Sequence, residues 1–146
     1  TLTIPGERSG MGTLREVGTA EKHFDVQTDL LDHRSDHIPS SGRVLLKTDV
    51  EGYDFEVLKG ARQLLSRPDV FVISEVNHRW LEETGSSAER MFEYMADLGY
   101  SPYDAQLRRH GFSRSLAVAP LSLPGPHHWF NVFFCREANQ STVQGS

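Results

Sequence analysis

From about position 43 onward the hydrophobic and polar residues fall into strand-like and helix-like blocks. Arg43-Val-Leu-Leu-Lys-Thr-Asp49 is a short apolar run closed by a polar tip, the pattern of a strand buried in a parallel sheet. Val50-Glu51-Gly52 reads as a turn. From Tyr53 to Ser66 the residues Phe55, Leu58, Ala61 or Arg62, and Leu65 recur at helical spacing, with Val57 and Leu64 widening the apolar face. Pro68 stops that helix, because a proline pushes the residue before it out of helical geometry. Val70 to Val76 is a second buried strand. Ser86, with Glu89 three residues later, forms a capping-box pattern that predicts another helix start. Ala88, Met91, Met95 and Leu98 make its apolar stripe, and Gly99 suits a left-handed C-terminal cap. Tyr100 to Tyr103 reads as a short strand edged by Pro102. Within 104–127 only Ser115 to Ala119 resembles a strand, whereas Trp129 to Cys135 is a clear closing one.

Ahead of position 43 the pattern is weaker. Residues 1–22 scatter glycines among Thr, Ser and charged residues and read as an irregular connection. His23 to Gln27 suggests a short strand, Thr28 to Leu31 one helical turn, and Asp32 to Gly42 a loop. The organisation expected is therefore a lead-in over 1–42, an α/β domain over 43–135 and a polar tail over 136–146. Strand, helix, strand, helix, strand gives an α/β class, with the two long apolar strands parallel and joined by a helical crossover.

Composition narrows the functions. A chain of 146 residues fits one domain, and eight Phe, four Tyr and two Trp supply core material. Fifteen basic against twenty acidic residues give a net charge of -5, which argues against a nucleic-acid partner. Cys135 is the only cysteine, so neither an intramolecular disulfide nor a cysteine zinc cluster is available. Its place in an apolar strand predicts a buried, inert thiol. No apolar run approaches the roughly 20 residues that span a bilayer, so no membrane association and a cytoplasmic location are expected.

Candidate chemistry sits at one end of the expected sheet. In open parallel sheets ligands bind beyond the carboxyl ends of the strands. Asp49 takes that place on the first long strand and Glu75 on the second; Glu51 lies in the turn after the first, and His78 just past the second. The four are expected to converge on one rim, with Asp49 looking into a crevice. Such a rim suits a cation, proton abstraction or a metal ion.

The same residues resemble a known family. Leu46-Lys-Thr-Asp-Val-Glu-Gly-Tyr-Asp-Phe-Glu-Val-Leu-Lys-Gly-Ala61 is similar to the signature of the FkbM-type methyltransferases, which in outline reads Leu-Lys-Ile-Asp-Val-Glu-Gly, an acidic residue, then a helix with Leu-x-Gly-Ala. Gln27-Thr-Asp-Leu-Leu resembles the segment that precedes it, Arg67 to Glu75 the following strand, and Asn131-Val-Phe-Phe the closing strand, so that the likeness runs over about residues 13–135. The resemblance implies a Rossmann-like class I fold using S-adenosylmethionine, most often to methylate a hydroxyl of a small molecule or glycan. On the physical reading of the rim, Asp49, with Val50, is expected to meet the methionine end of such a donor, and Glu51, Glu75 or His78 to take the hydroxyl proton, histidine having the ordinary pKa best suited to it near neutral pH. Nothing ahead of Arg43 resembles a strand with a glycine-rich turn and helix, and Gly10-Met-Gly12 lacks the apolar strand that would make it one. The chain is therefore expected to represent the fourth to seventh strands, a C-terminal half with parallel strands and a closing antiparallel one, without the glycine-rich donor-binding half.

Each signal has a plainer reading. Asp49 and Glu51 can simply favour the positive end of the next helix. His78, beside Arg79 and Trp80, reads most simply as a solvated loop residue. His33 and His37, flanked by Asp32 and Asp36, have metal-pair spacing, but Pro39 predicts a loop and no metal is assigned there. His127-His128 leads into a strand, and Asn139-Gln-Ser141 matches a glycosylation acceptor without a secretory signal to support it. The rivals to an enzyme are a non-catalytic α/β fragment that associates with another chain, or with itself, through an exposed edge of the strand at 43–49, and a binding module for sugars or small hydroxylated ligands that uses the acidic rim.

Overall fold

The computed structural model describes residues 2–5, 20–110, 113–123 and 129–136. The Gly10-Met-Gly12, His127-His128 and Asn139 features, and the tail beyond Arg136, lie outside them.

The centre is a five-stranded sheet in the order β3 (Val44–Thr48), β4 (Val70–Asn77), β7 (Trp129–Arg136), β5 (Tyr100–His110), β6 (Ser113–Pro120). β3 and β4 pair in parallel, Val44 beside Val70 through Thr48 beside Ser74, as the apolar runs predict. The other three pairings are antiparallel, so the sheet is a mixed one with a single parallel pair. The reason is the placement of β7: it inserts between β4 and β5 and opposes both, so β3, β4 and β5 share one direction. The closing strand is thus antiparallel as expected, while most neighbours in the sheet are not parallel.

The crossover from β3 to β4 is helical but broken. In place of one helix from Tyr53 to Ser66 there are α1 (Asp54–Lys59) and α2 (Arg62–Leu65). The cause lies upstream. Asp32 donates its backbone N–H to the Gly60 carbonyl at 3.0 Å and aims its carboxylate at the start of α2. There it accepts from the N–H groups of Gln63 at 2.8 Å and Leu64 at 3.0 Å. A cap supplied from outside the helix satisfies donors that an unbroken helix would have used internally.

Asp32 can do this because Leu31–His37 is a 3-10 helix, not the expected loop. Arg67 fastens the end of that segment by donating to the Pro39 carbonyl at 2.6 Å. Further upstream, β1 (Leu2–Pro5) pairs antiparallel with β2 (Ala20–Phe24), which corrects both the irregular reading of this stretch and the position of the short strand.

After β4 the chain turns directly into α3 (His78–Glu83), where the Asn77 side chain accepts from the Trp80 N–H at 3.2 Å and caps the first turn. α4 (Ala88–Asp97) starts one residue later than the pattern suggested. Ser86 closes α3, donating its N–H to Leu81 at 2.8 Å, so Ser87 is left to cap, accepting from Arg90 N–H at 3.3 Å. Gly99, at φ +83°, ends α4 as expected. β5 runs through Pro102 and continues into a long hairpin with β6, in place of the short strand predicted.

Two cores follow from the period of two along β4. Val70, Val72 and Val76 face α1–α4, where Phe55, Leu58, Leu65, Met91, Met95 and Phe134 are buried. Phe71 and Ile73 face the other way and pack with Tyr103, Phe133 and Cys135, Phe71 stacking on Phe133 at 6.0 Å. Cys135 is buried as predicted, and burial pushes its thiol pKa up.

Candidate active site

The carboxyl ends of β3 and β4 carry the candidate residues. Val50 and Tyr53 close a tight turn through a 3.2 Å backbone bond, with Glu51 at φ +53° and Gly52 at φ +97°. Two successive positive φ angles are the mark of a primed turn, and Glu51 adopts one without the freedom of glycine. Gly52 is there for a second reason: a Cβ on it would lie 2.8 Å from the Cβ and the carbonyl oxygen of Trp80. The turn is thus pressed against α3, and Thr84 Oγ1 ties the two together by donating to the Gly52 carbonyl at 2.9 Å.

Asp49 is half exposed and accepts a hydrogen bond from Lys47 Nζ at 2.6 Å. Lys47 precedes it by two, so both side chains stand on one face of β3. This hydrogen bond raises the Lys47 pKa, and the fields of Glu75 and Asp54 add to it. Asp54, the first residue of α1, is 1% exposed. Burial raises its pKa, against hydrogen bonds from Thr48 and from backbone groups of the turn, and its Oδ1 has no partner. Thr48 Oγ1 also meets Ser74 Oγ at 2.6 Å, so that hydroxyl pair joins the two parallel strands at their ends.

Glu75 is 7% exposed. Its Oε1 accepts from the indole Nε1–H of Trp129, on β7, at 2.7 Å, while Oε2 is buried without a partner. Burial raises its pKa; the Trp129 bond opposes this, and the charges of Asp49, Asp54 and Glu51 reinforce it. Glu75 therefore feels the charges of Asp49 and Glu51, the other two carboxylates read from the sequence, and that of Asp54. Among the described residues, however, no three His, Cys, Asp or Glu side chains come close enough to share a metal ion.

His78 does not join them. It is a buried residue in the first turn of α3, not a solvated loop residue, and its ring lies 6.4 Å from that of Phe130. Phe130 packs on the helix-side core, whereas Glu75 alternates with Val76 onto the opposite face of the sheet. His33 and His37 are exposed and turn to Asp29 and Asp36 rather than to each other. Nor does Asp49 look into the hollow of about 790 Å³ beside β3, which lies toward the helices and is lined by Leu46, Tyr53, Glu56 and Val57. Asp49 stands outside it on an open ledge, half exposed, whereas Asp54 and Glu75 are buried.

Three participants escaped the sequence reading. Lys47 could have been found, since the alternation of a strand puts it on the face of Asp49. Asp54 stands in the signature, but its burial does not show in a pattern that makes it a helix-start residue. Trp129 lies 54 positions from Glu75, and only the β4–β7 register brings them together.

A profile of the Methyltransferase FkbM domain matches residues 1–102, which is 102 of the 146 residues. The chain belongs to the FkbM methyltransferase domain family. No curated protein and no solved structure gives a match. The FkbM match contains the Asp49–Gly52 turn, Asp54, Glu75 and His78, and it ends within β5, so Trp129 and the closing strand lie beyond it. Among the described residues no helix is long and apolar enough to cross a membrane.

Proposed function

We propose that this FkbM-family chain takes part in S-adenosylmethionine-dependent O-methylation of a hydroxyl on a small molecule or glycan, its sheet forming the C-terminal half of a class I catalytic fold. The observation that carries this reading is the acidic rim at the ends of the parallel pair, built on the family's own signature segment. The direction of the strands supports it too: three run one way, and the closing strand is antiparallel.

The residues fit one end of the donor. A sulfonium and an ammonium are cations, and Asp49, Glu51, Asp54 and Glu75 set up a negative field around the ledge. Among the described residues no glycine-rich turn leads from a strand into a helix to hold the remainder, and β3 pairs on one side only. The reading places the donor-binding half against that edge, where it would turn the ledge into a crevice. When bound, S-adenosylmethionine supplies a methyl group made electrophilic by its positive sulfur. Asp49 and the backbone at Val50 hold the methionine end. Glu75 Oε2 takes the proton of the acceptor hydroxyl; a carboxylate whose pKa is raised is a stronger base than an ordinary one. His78 faces the helix side and takes no part.

Titration of the isotopically labelled chain with S-adenosylmethionine, followed by amide resonances, tests this. Saturable shifts are expected at Asp49, Val50, Gly52 and Glu75, with affinity falling roughly tenfold in Asp49→Asn as one charge contact is lost. Absence of shifts at these positions, or equal affinity in the variant, would remove the donor from the ledge.

A second reading rests on a different observation. Leu45, on the edge strand β3, is 59% exposed, and an open apolar edge favours association with another chain without any catalysis.

A further inference from the structure

Trp129 is 68% exposed, yet it is not a loose surface side chain. A single exposed aromatic residue needs no explanation in itself. This one spends its only polar atom on a buried carboxylate: Nε1–H donates to Glu75 Oε1 at 2.7 Å. The bond fixes the plane of the indole and leaves its ring to solvent. The antiparallel register sets Asn77 opposite Trp129 and Glu75 opposite Asn131, so the indole and the carboxylate occupy neighbouring positions on the same sheet face. The other oxygen of that carboxylate, Glu75 Oε2, is buried and without a hydrogen-bond partner. A buried acceptor left unmatched is costly, so a ligand that brings a donor to it is favoured.

We infer that Trp129 and Glu75 form an acceptor subsite for a saturated, hydroxylated ring such as a pyranose, the indole receiving the ring's C–H face and Glu75 Oε2 receiving one of its hydroxyls. The inference rests on, and deepens, the reading of this rim as the methyl-transfer site. The chemistry selects such a ring on two counts. A flat apolar platform matches the C–H face of a pyranose, which an acyclic polyol does not present as one surface. A carboxylate oxygen accepts and does not donate, so its partner must bring a proton, and an equatorial hydroxyl at the edge of a stacked ring does so. A bare cation would also suit an indole beside a carboxylate, but Lys47 already places an ammonium among these acids. Trp129 is thereby both a binding surface and the positioning residue for Glu75.

The indole N–H resonance of Trp129 gives a readout that needs no methyl donor. With two tryptophans in the chain, it is assigned by its disappearance in Trp129→Phe. Methyl pyranosides are expected to shift it saturably, while sorbitol and tetramethylammonium at equal concentration leave it in place. Trp129→Ala and Glu75→Gln should each weaken pyranoside binding roughly tenfold, and Trp129→Phe, which keeps a ring but not the N–H, should lose less than Trp129→Ala. No shift with pyranosides, an equal shift with sorbitol, a larger one with tetramethylammonium, or unchanged affinity in Trp129→Ala would each overturn the subsite. So would a change from dimer to monomer in Trp129→Ala, which would make the indole an interface residue. Donor binding without pyranoside binding would sink the subsite alone; pyranoside binding without donor binding would keep the subsite and remove the methyl transfer.

Discussion

Glu75 is the buried carboxylate at the end of β4, and its surroundings set how it titrates. Its pKa is raised first by burial, then by the charges of Asp49, Asp54 and Glu51, against the pull of the Trp129 N–H. A raised folded-state pKa means that the native protein holds the proton more tightly than the unfolded chain. The corresponding stability is fully present below the ordinary glutamate value of about 4.3 and is lost as pH rises through the folded value. Asp54, raised by burial, works in the same sense. Urea midpoints measured from about pH 4 to about pH 8 should therefore fall less steeply in Glu75→Gln than in the parent, and the variant should be the more stable one at neutral pH. A steeper fall in the variant would show that the carboxylate is not penalised by its surroundings. In the methylation assay of an active assembly, the same variant should lose about 10²- to 10⁴-fold in rate, the range of a removed general base.

At the level of elements, the β3–α1 turn decides whether the rim forms. Glu51 and Gly52 both sit at positive φ, and Gly52 leaves no room for a Cβ against Trp80. Gly52→Ala adds backbone strain to a backbone clash, so a loss of about 1–3 kcal/mol is expected in urea unfolding, with α3 displaced from the turn. A neutral result would mean that Trp80 moves aside freely. That a turn stands at 50–52 was legible from its position between strand and helix. Why it must be glycine was not, because the obstructing atoms belong to a residue 28 positions later. The break between α1 and α2 was hidden for the same reason: the apolar spacing from Phe55 to Leu65 is continuous, and the cap that interrupts it comes from Asp32.

For the whole molecule, the notable asymmetry is at β3. Helices cover one face of the β3–β4 pair, while Leu45 and Lys47 on β3 remain largely exposed and β3 has a single strand neighbour among the described residues. Parallel sheets are ordinarily covered on both faces. The open edge predicts self-association that grows with concentration, and Leu45→Lys should shift sedimentation toward the monomer by charging that edge. A parent chain that sediments as a monomer at every concentration would remove the edge from consideration.

The amino-acid sequence by itself determined the two long strands, their parallel pairing, the cap at Gly99, the buried thiol and the family, because each rests on local periodicity or on a contiguous signature. Tertiary structure alone decided which side of the sheet each titratable group faces. It buried His78 near Phe130, left Asp49 on an open ledge with Lys47, and brought Trp129 to Glu75 across 54 positions. Strand alternation fixes a side chain's face only once the register and the neighbouring strand are known, and the insertion of β7 between β4 and β5 is a long-range choice that no local pattern records.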